Sequence, residues 1–250
     1  MQQVDAEDHA GGRSPVLWVT GGGSGMGRAS ALSAASRGWR VAVSGRRADR
    51  VHAVAREVAE TGADVLALPG DVRRIGDVTA CASAIEQGWG RLDGLVLAAG
   101  LNAPRRAWKD QDLDELTDIV DTNLLAGARV VQVALPQLRR SAGTVVVVSS
   151  YAGWRFSPGA GVAYSASKTA LASVCQSLNA QEADTGVRAC HLCPGDVDTG
   201  FLAQRPEVPG AEARSVMLTA DDVARAVQFV LDSPPHVRID ELVISPVSQH

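Results

Sequence analysis

From Pro15 onward, short runs rich in β-branched residues alternate with longer stretches whose apolar residues recur at helical spacing; no other feature restricts the chain as strongly. A strand, an amphipathic helix and a second strand in succession make a parallel pair with a crossover, and a sheet built this way needs helices on both faces. The candidate strands are Val16 to Thr20, Val41 to Ser44, Val65 to Leu68, Gly94 to Ala98, Thr144 to Ser149, Arg188 to Cys193 and Glu241 to Ser245. Between them, Met26 to Arg37, Ala48 to Glu60, Ile75 to Gln87, Leu113 to Leu138, Ala163 to Ala183 and Ala220 to Leu231 read as helices. The pattern predicts a three-layer αβα chain around a seven-stranded parallel sheet with right-handed crossovers.

Punctuation supports these boundaries. Gly38 and Gly62 follow the first two helices as stop signals, and Thr219 stands three residues before Asp222, placed to cap the last helix. Met1 to Ser14 reads as a flexible polar tail, and 15–250 as a single domain. The stretch from Gly200 to Leu218, with Pro206, Pro209 and Gly210, breaks the alternation and reads as a mobile lid over a substrate.

Composition excludes several classes. With 46% hydrophobic and 21% charged residues over 250 positions, the chain is neither disordered nor too short for a core. No segment reaches the roughly 18 to 20 apolar residues that span a bilayer, and the first fifteen residues lack a signal peptide's apolar centre, so a cytoplasmic location without membrane partners is expected. A net charge of -4 speaks against nucleic acid as a partner. The four cysteines, Cys81, Cys175, Cys190 and Cys193, are too few for a disulfide framework. Cys190 and Cys193 fall in one strand, where an offset of three puts them on opposite faces; ordinary core cysteines are expected, with no metal site.

The first strand runs into Thr20-Gly21-Gly22-Gly23-Ser24-Gly25-Met26-Gly27 and then into a helix. This is the context a dinucleotide fingerprint requires: glycines let the backbone approach a pyrophosphate, and the helix offers unpaired N–H groups to its charge. About twenty residues further on, where an NAD-selective site places a carboxylate, the second strand ends in Ser44-Gly45-Arg46-Arg47. Two guanidinium groups and a hydroxyl suit a 2′-phosphate, so NADP(H) is expected over NAD(H). The plain alternative is a solvated arginine pair at a helix entrance.

Tyr164-Ser165-Ala166-Ser167-Lys168 puts a phenol and an ammonium on one face of a helix. A phenol near pKa 10 needs roughly 4 kcal/mol of preferential phenolate stabilisation to titrate near neutrality, and a nearby lysine pushes that way. Taken with Asp71-Val72 after the third strand, Asn123 in the long helix, Ser150 after the fifth strand and Pro194-Gly195-Asp196-Val197-Asp198-Thr199 after the sixth, the chain resembles the short-chain dehydrogenase/reductase family from Pro15 to Val247. The resemblance implies a Rossmann fold and hydride transfer between a nicotinamide and a carbonyl or alcohol. It implies that Tyr164 is the general acid/base, that Lys168 favours the phenolate and binds the ribose, and that Ser150 holds the reacting oxygen. Asn123 would hold a water in a proton relay. It further implies cofactor contacts from Gly21, Ser24, Gly25 and Met26, from Ser44, Arg46 and Arg47, from Asp71 and Val72, from Ala98 and Gly100, from Tyr164 and Lys168, and from Pro194, Gly195, Val197 and Thr199.

Two departures from the family pattern stand out. Leu97-Ala98-Ala99-Gly100 replaces the usual Asn-Asn-Ala-Gly, so the amide bonds that brace the central strands are absent or replaced. Ser150 lies one position further from Tyr164 than is common, which predicts a small insertion between Gly153 and Ala163 and leaves Ser149 as the fallback serine. Trp154 and Phe156 are candidates for an apolar substrate wall, with Arg155 between them as an anion contact or as a solvated loop arginine.

The run from Ser233 to Pro246 resembles a subgroup containing NADP-dependent 3-hydroxy acid and serine dehydrogenases and some aldehyde reductases. An alcohol or carbonyl substrate, a hydroxy acid among the options, is thus implied. Family habit implies a homotetramer, with a homodimer as the alternative, joined through the helices around Asp112 to Leu138 and Ala163 to Ala183 and the final strand. Sugar-nucleotide epimerases are disfavoured because the chain has no long carboxyl-terminal substrate region, and a non-catalytic dinucleotide sensor is the rival reading.

Overall fold

β1, Val16–Thr20, is buried along its whole length because helices cover both of its faces. A computed structural model describes residues 14–249; the expected tail up to Arg13 lies outside the described residues, as does His250. α1 (Gly25–Ala35), β2 (Arg40–Gly45), α2 (Ala48–Glu60), β3 (Val65–Pro69), α3 (Ile75–Trp89) and β4 (Gly94–Leu97) follow in turn. Next come α4 (Leu113–Val120), α5 (Ala126–Ser141), β5 (Thr144–Val148), α6 (Tyr151–Trp154), α7 (Val162–Gln181), β6 (Arg188–Pro194), α8 (Ala211–Ser215), α9 (Ala220–Leu231) and β7 (Glu241–Ile244).

The strands form one seven-stranded sheet in the order β3-β2-β1-β4-β5-β6-β7, and every pairing is parallel. β1 pairs with β2 on one side and β4 on the other, so successive crossovers run in opposite directions from it. That switch point opens a crevice at the carboxyl ends of the strands.

Alternating side chains divide the core into two halves. Trp18, Leu95 and Val145 face Ile85, Val130 and Leu171 of α3, α5 and α7. Val19, Val96 and Leu192 face Ala31, Val54 and Val227 of α1, α2 and α9. Each fully buried aliphatic side chain contributes roughly 1.5–3 kcal/mol, which makes a one-residue slip of any central strand prohibitive. Thr219 caps α9 in a reciprocal box with Asp222. Among the described residues no helix is long and apolar enough to cross a membrane.

Four findings refine the expectations. The helix expected over Leu113 to Leu138 is interrupted by a π-turn at Asp121–Leu125, which turns Asn123 inward toward the loop after β4. Leu97 packs in the core where a bracing amide was missed, so apolar contact replaces hydrogen bonding there. Cys190 and Cys193 do point to opposite faces: Cys190 sits under α1 and α9, and Cys193 lies beside His191 on the other side. The segment from Gly200 to Leu218 carries a 3-10 turn, Gly200–Gln204, and then α8, and its ends are tied by the bridge between Val197 and Leu218.

Candidate active site

The glycine turn fits between β4 and α1 only without side chains. Gly21 has φ +64°, and a Cβ there would lie 2.6 Å from the Ala99 nitrogen; a Cβ on Gly27 would collide with the Gly21 carbonyl. α1 then starts at Gly25 with Ser24 as an N-cap whose side chain makes no capping bond, and with no acidic residue in its first turn. Its first N–H groups and its dipole are therefore left for an anion.

Arg46 and Arg47 lie exposed at the outer end of this turn, and Arg47 Nη2 donates to Ser24 Oγ at 3.3 Å. Asp71 stands nearby. Burial would raise its carboxyl, but hydrogen bonds from Arg73 and the charges of Arg73 and Arg46 hold it below the usual carboxylate range. Val72 is buried in the core beneath it. Ser44 is a correction: its hydroxyl faces into the sheet, accepts from Trp18 Nε1 at 2.8 Å and is not beside the two arginines. Strand parity causes this, since Ser44 still belongs to β2 and its side chain is directed into the core. The tight turn, the free N–H groups and the exposed guanidinium pair fit a phosphorylated dinucleotide.

Further along the crevice, Ser150 follows β5 and caps α6, its hydroxyl accepting from the Ala152 N–H at 3.2 Å, and it lines the same cavity as Tyr164. Ser149, the fallback serine, is buried and donates instead to the Lys168 carbonyl at 3.1 Å. Tyr164 and Lys168 lie one turn apart on α7, with Nζ 5.7 Å from the phenol ring centroid. Lys168 Nζ donates to the Val148 carbonyl at 2.9 Å, and burial pushes its pKa down to about 8. Asn123 is buried, and its carboxamide is engaged by Leu101 and Ser167.

Burial raises the Tyr164 phenol above its ordinary value, opposed by the Ser150 hydrogen bond and then by the charges of Arg106 and Arg205. The opposing cations are thus two loop arginines that the sequence reading did not single out. Their only sequence signal is a basic pair, Arg105-Arg106, in the loop after β4, and an arginine beside Pro206.

A cavity of about 610 Å³ joins these parts. Of the residues expected to contact a cofactor, Met26, Ala98, Gly100, Tyr164, Lys168, Pro194, Gly195, Val197 and Thr199 line it, while Gly21, Ser24 and Gly25 form the adjoining turn. Thr199 caps the turn at Gly200–Gln204 through the Phe201 N–H, and Gly25 packs against its side chain. Gln249, close to the chain end, also reaches the cavity and accepts from the Asp196 N–H at 2.8 Å. The apolar wall expected from Trp154 and Phe156 does not form. Trp154 packs edge-on against Tyr151, Arg155 stacks 4.1 Å over the Trp154 ring, and Phe156 is 85% exposed. Phe201 is the aromatic neighbour of the Tyr164 phenol, with ring centroids 6.1 Å apart.

One group among the described residues has metal-ligand composition. His191 Nδ1 lies 3.4 Å from Cys193 Sγ and 3.1 Å from Glu241 Oε2. Burial pushes the Cys193 thiol up to about 12, which opposes the thiolate that a metal requires.

A short chain dehydrogenase family model matches residues 15–209. The chain is 32% identical over 244 residues to a sulfoacetaldehyde reductase from Chromohalobacter salexigens, covering 93% of this chain and 94% of that one. Among solved structures it is similar to an alcohol dehydrogenase from the archaeon Thermococcus sibiricus complexed with 5-hydroxy-NADP, with TM-score 0.86, 29% identity and coverage of 95% and 99%. It is also similar to the closed form of a serine dehydrogenase complexed with NADP+, with TM-score 0.85, 26% identity and coverage of 94% and 96%. With the family model matching most of its length and a relative 32% identical over nearly all of it, the chain belongs to the short-chain dehydrogenase/reductase family of oxidoreductases.

Proposed function

We propose that the protein interconverts a ketone or aldehyde and an alcohol with NADP(H) as the preferred cofactor and Tyr164 as general acid/base. The observation that carries this reading is that Ser150, Tyr164 and Lys168 line one cavity, with Lys168 Nζ one helical turn along and 5.7 Å from the Tyr164 ring centroid. A nicotinamide bound there supplies or accepts hydride, so in reduction the carbonyl carbon gains two electrons and a hydrogen while its oxygen takes the phenolic proton of Tyr164. Ser150 holds that oxygen as negative charge develops on it. Asn123 and Lys168 are positioned to return a proton toward Tyr164 from the interior side.

Burial keeps the phenol protonated in the cofactor-free protein, which is the form that reduction consumes. NADP(H) is supported by Arg46 and Arg47 at the open end of the turn, with no carboxylate at the end of β2. The NADP complexes of the similar alcohol dehydrogenase and serine dehydrogenase structures point the same way. A homo-oligomer joined through the helices around Asp112 to Leu138 is supported by Leu113, which opens α4 and is 74% exposed.

The test is titration with NADPH and NADH, followed by turnover of the native protein and of Tyr164→Phe. A catalyst loses turnover by orders of magnitude in the variant and keeps its cofactor affinity. A dinucleotide sensor loses little of either, and that result would overturn the enzymatic reading.

A further inference from the structure

Arg106 is a half-buried cation with no acidic partner within ion-pair distance among the described residues. Its guanidinium donates only to backbone carbonyls: Nε to Ala103 at 2.8 Å, Nη1 to Gly159 at 3.1 Å and Nη2 to Gln204. Those carbonyls belong to three separate segments: the loop after β4, the loop before α7 and the turn after Thr199. Gly161, with φ +87°, lets the chain pass close to Arg106, because a Cβ there would lie 2.5 Å from the Arg106 Cβ. Three bonds use three of the five guanidinium N–H donors, so the group is fixed in position and still has donors to offer.

Arg205 lines the same cavity and pairs with Asp196. The two guanidinium groups repel one another, and both act on the Tyr164 phenol. The remaining charged groups around the cavity do not relieve Arg106. Lys168 is pinned to the Val148 carbonyl, Asp196 is taken by Arg205, and Glu207 is exposed on the outer turn. A desolvated cation without a counter-ion is destabilising, and a charge from outside the chain relieves it. An oxyanion held by planar guanidinium forks is the chemistry such a pair fits.

We propose that the substrate carries a compact oxyanion, a carboxylate or a sulfonate, and that Arg106 with Arg205 binds it so that the reacting carbonyl meets Ser150 and Tyr164. The proposal rests on the oxidoreductase reading for its substrate but not for its binding site. Because Arg106 reaches Gln204, the anion site and the segment from Gly200 to Leu218 are mechanically joined. The anion contact is placed here rather than at Arg155, which stacks on Trp154 outside the cavity.

The test separates binding from turnover. Calorimetric titration of the native protein, with and without NADPH, uses propanoate and methanesulfonate as charged probes and methyl propanoate as the neutral one. Turnover then compares short oxo-carboxylates and oxo-sulfonates with the methyl esters of the former. Saturable binding of the charged probes alone is expected, along with a preference for acids over esters of about 100-fold in kcat/KM. In Arg106→Met and Arg205→Met that preference falls to within about tenfold, and Arg106→Lys restores part of it.

Carboxylate and sulfonate probes compared side by side tell the two sources apart. Equal binding of ester and acid, or an Arg106→Met protein that melts earlier but keeps the acid preference, would overturn the proposal by reducing Arg106 to a loop tie. If Arg106→Met does not fold, Arg205→Met and the native titration decide alone. Charged-probe binding without any turnover upholds the anion site and counts against the oxidoreductase reading instead.

Discussion

The carboxamide of Asn123 pairs both ways with the peptide of Leu101, accepting from its N–H at 2.8 Å and donating to its carbonyl at 2.9 Å. The π-turn at Asp121–Leu125 aims the side chain there, and the pairing anchors the loop that carries Asn102 and Arg106 into the cavity. In Asn123→Ala the Leu101 peptide loses both partners in a part-buried position. A loss of about 2 kcal/mol in urea unfolding is expected, together with a lower kcat.

Gly27→Ala forces the Gly21 carbonyl to move, and the glycine turn with it. The fold should lose roughly 1–3 kcal/mol, and the NADPH dissociation constant should rise at least about tenfold. Gly76→Ala is the control: it lies in α3 with open space around its Cβ position, and should gain about 0.5–1 kcal/mol. Thermal melts and fluorescence titration of the two variants check the contrast.

Lys168 is a buried cation that costs stability. Folding lowers its pKa from the ordinary 10.5 to about 8, so between those values the unfolded chain binds more protons and stability rises with pH. Below pH 8 the full penalty is present, on the order of 3 kcal/mol. Lys168→Met removes it along with one hydrogen bond to Val148, leaving a net gain of about 2 kcal/mol at pH 7 that shrinks by about pH 10. Turnover should be lost in the same variant, and parallel unfolding curves at the two pH values show whether the sign is right.

Arg46→Asp places a carboxylate where the second strand presents a cation. NADPH affinity should fall by about tenfold or more, and NADH affinity should rise or hold. Unchanged relative affinities would make the arginine pair a surface feature.

The periodicity of apolar residues determined the seven strands and their order of appearance, because alternate faces of a buried parallel strand need aliphatic side chains whatever packs on them. The Thr219 and Asp222 box and the glycine turn were legible for the same reason: local geometry dictates those residue types. Tyr164, Lys168, Ser150 and Asn123 were legible through spacing and family resemblance.

What stayed hidden depended on contacts between distant segments. The π-turn arises because Asn123 meets Leu101 across 22 positions, and Ser44 turns inward because Trp18 waits on the neighbouring strand. Nothing in the sequence sets Arg106 apart; in the fold Ala103, Gly159 and Gln204 close around it, with Arg205 and Tyr164 beside it. Sequence alone settled the scaffold and singled out the candidate reacting groups, since both follow from local pattern. Only the tertiary structure decided which loop charges face the cavity, because desolvation and the company of other charges exist only once the chain is folded.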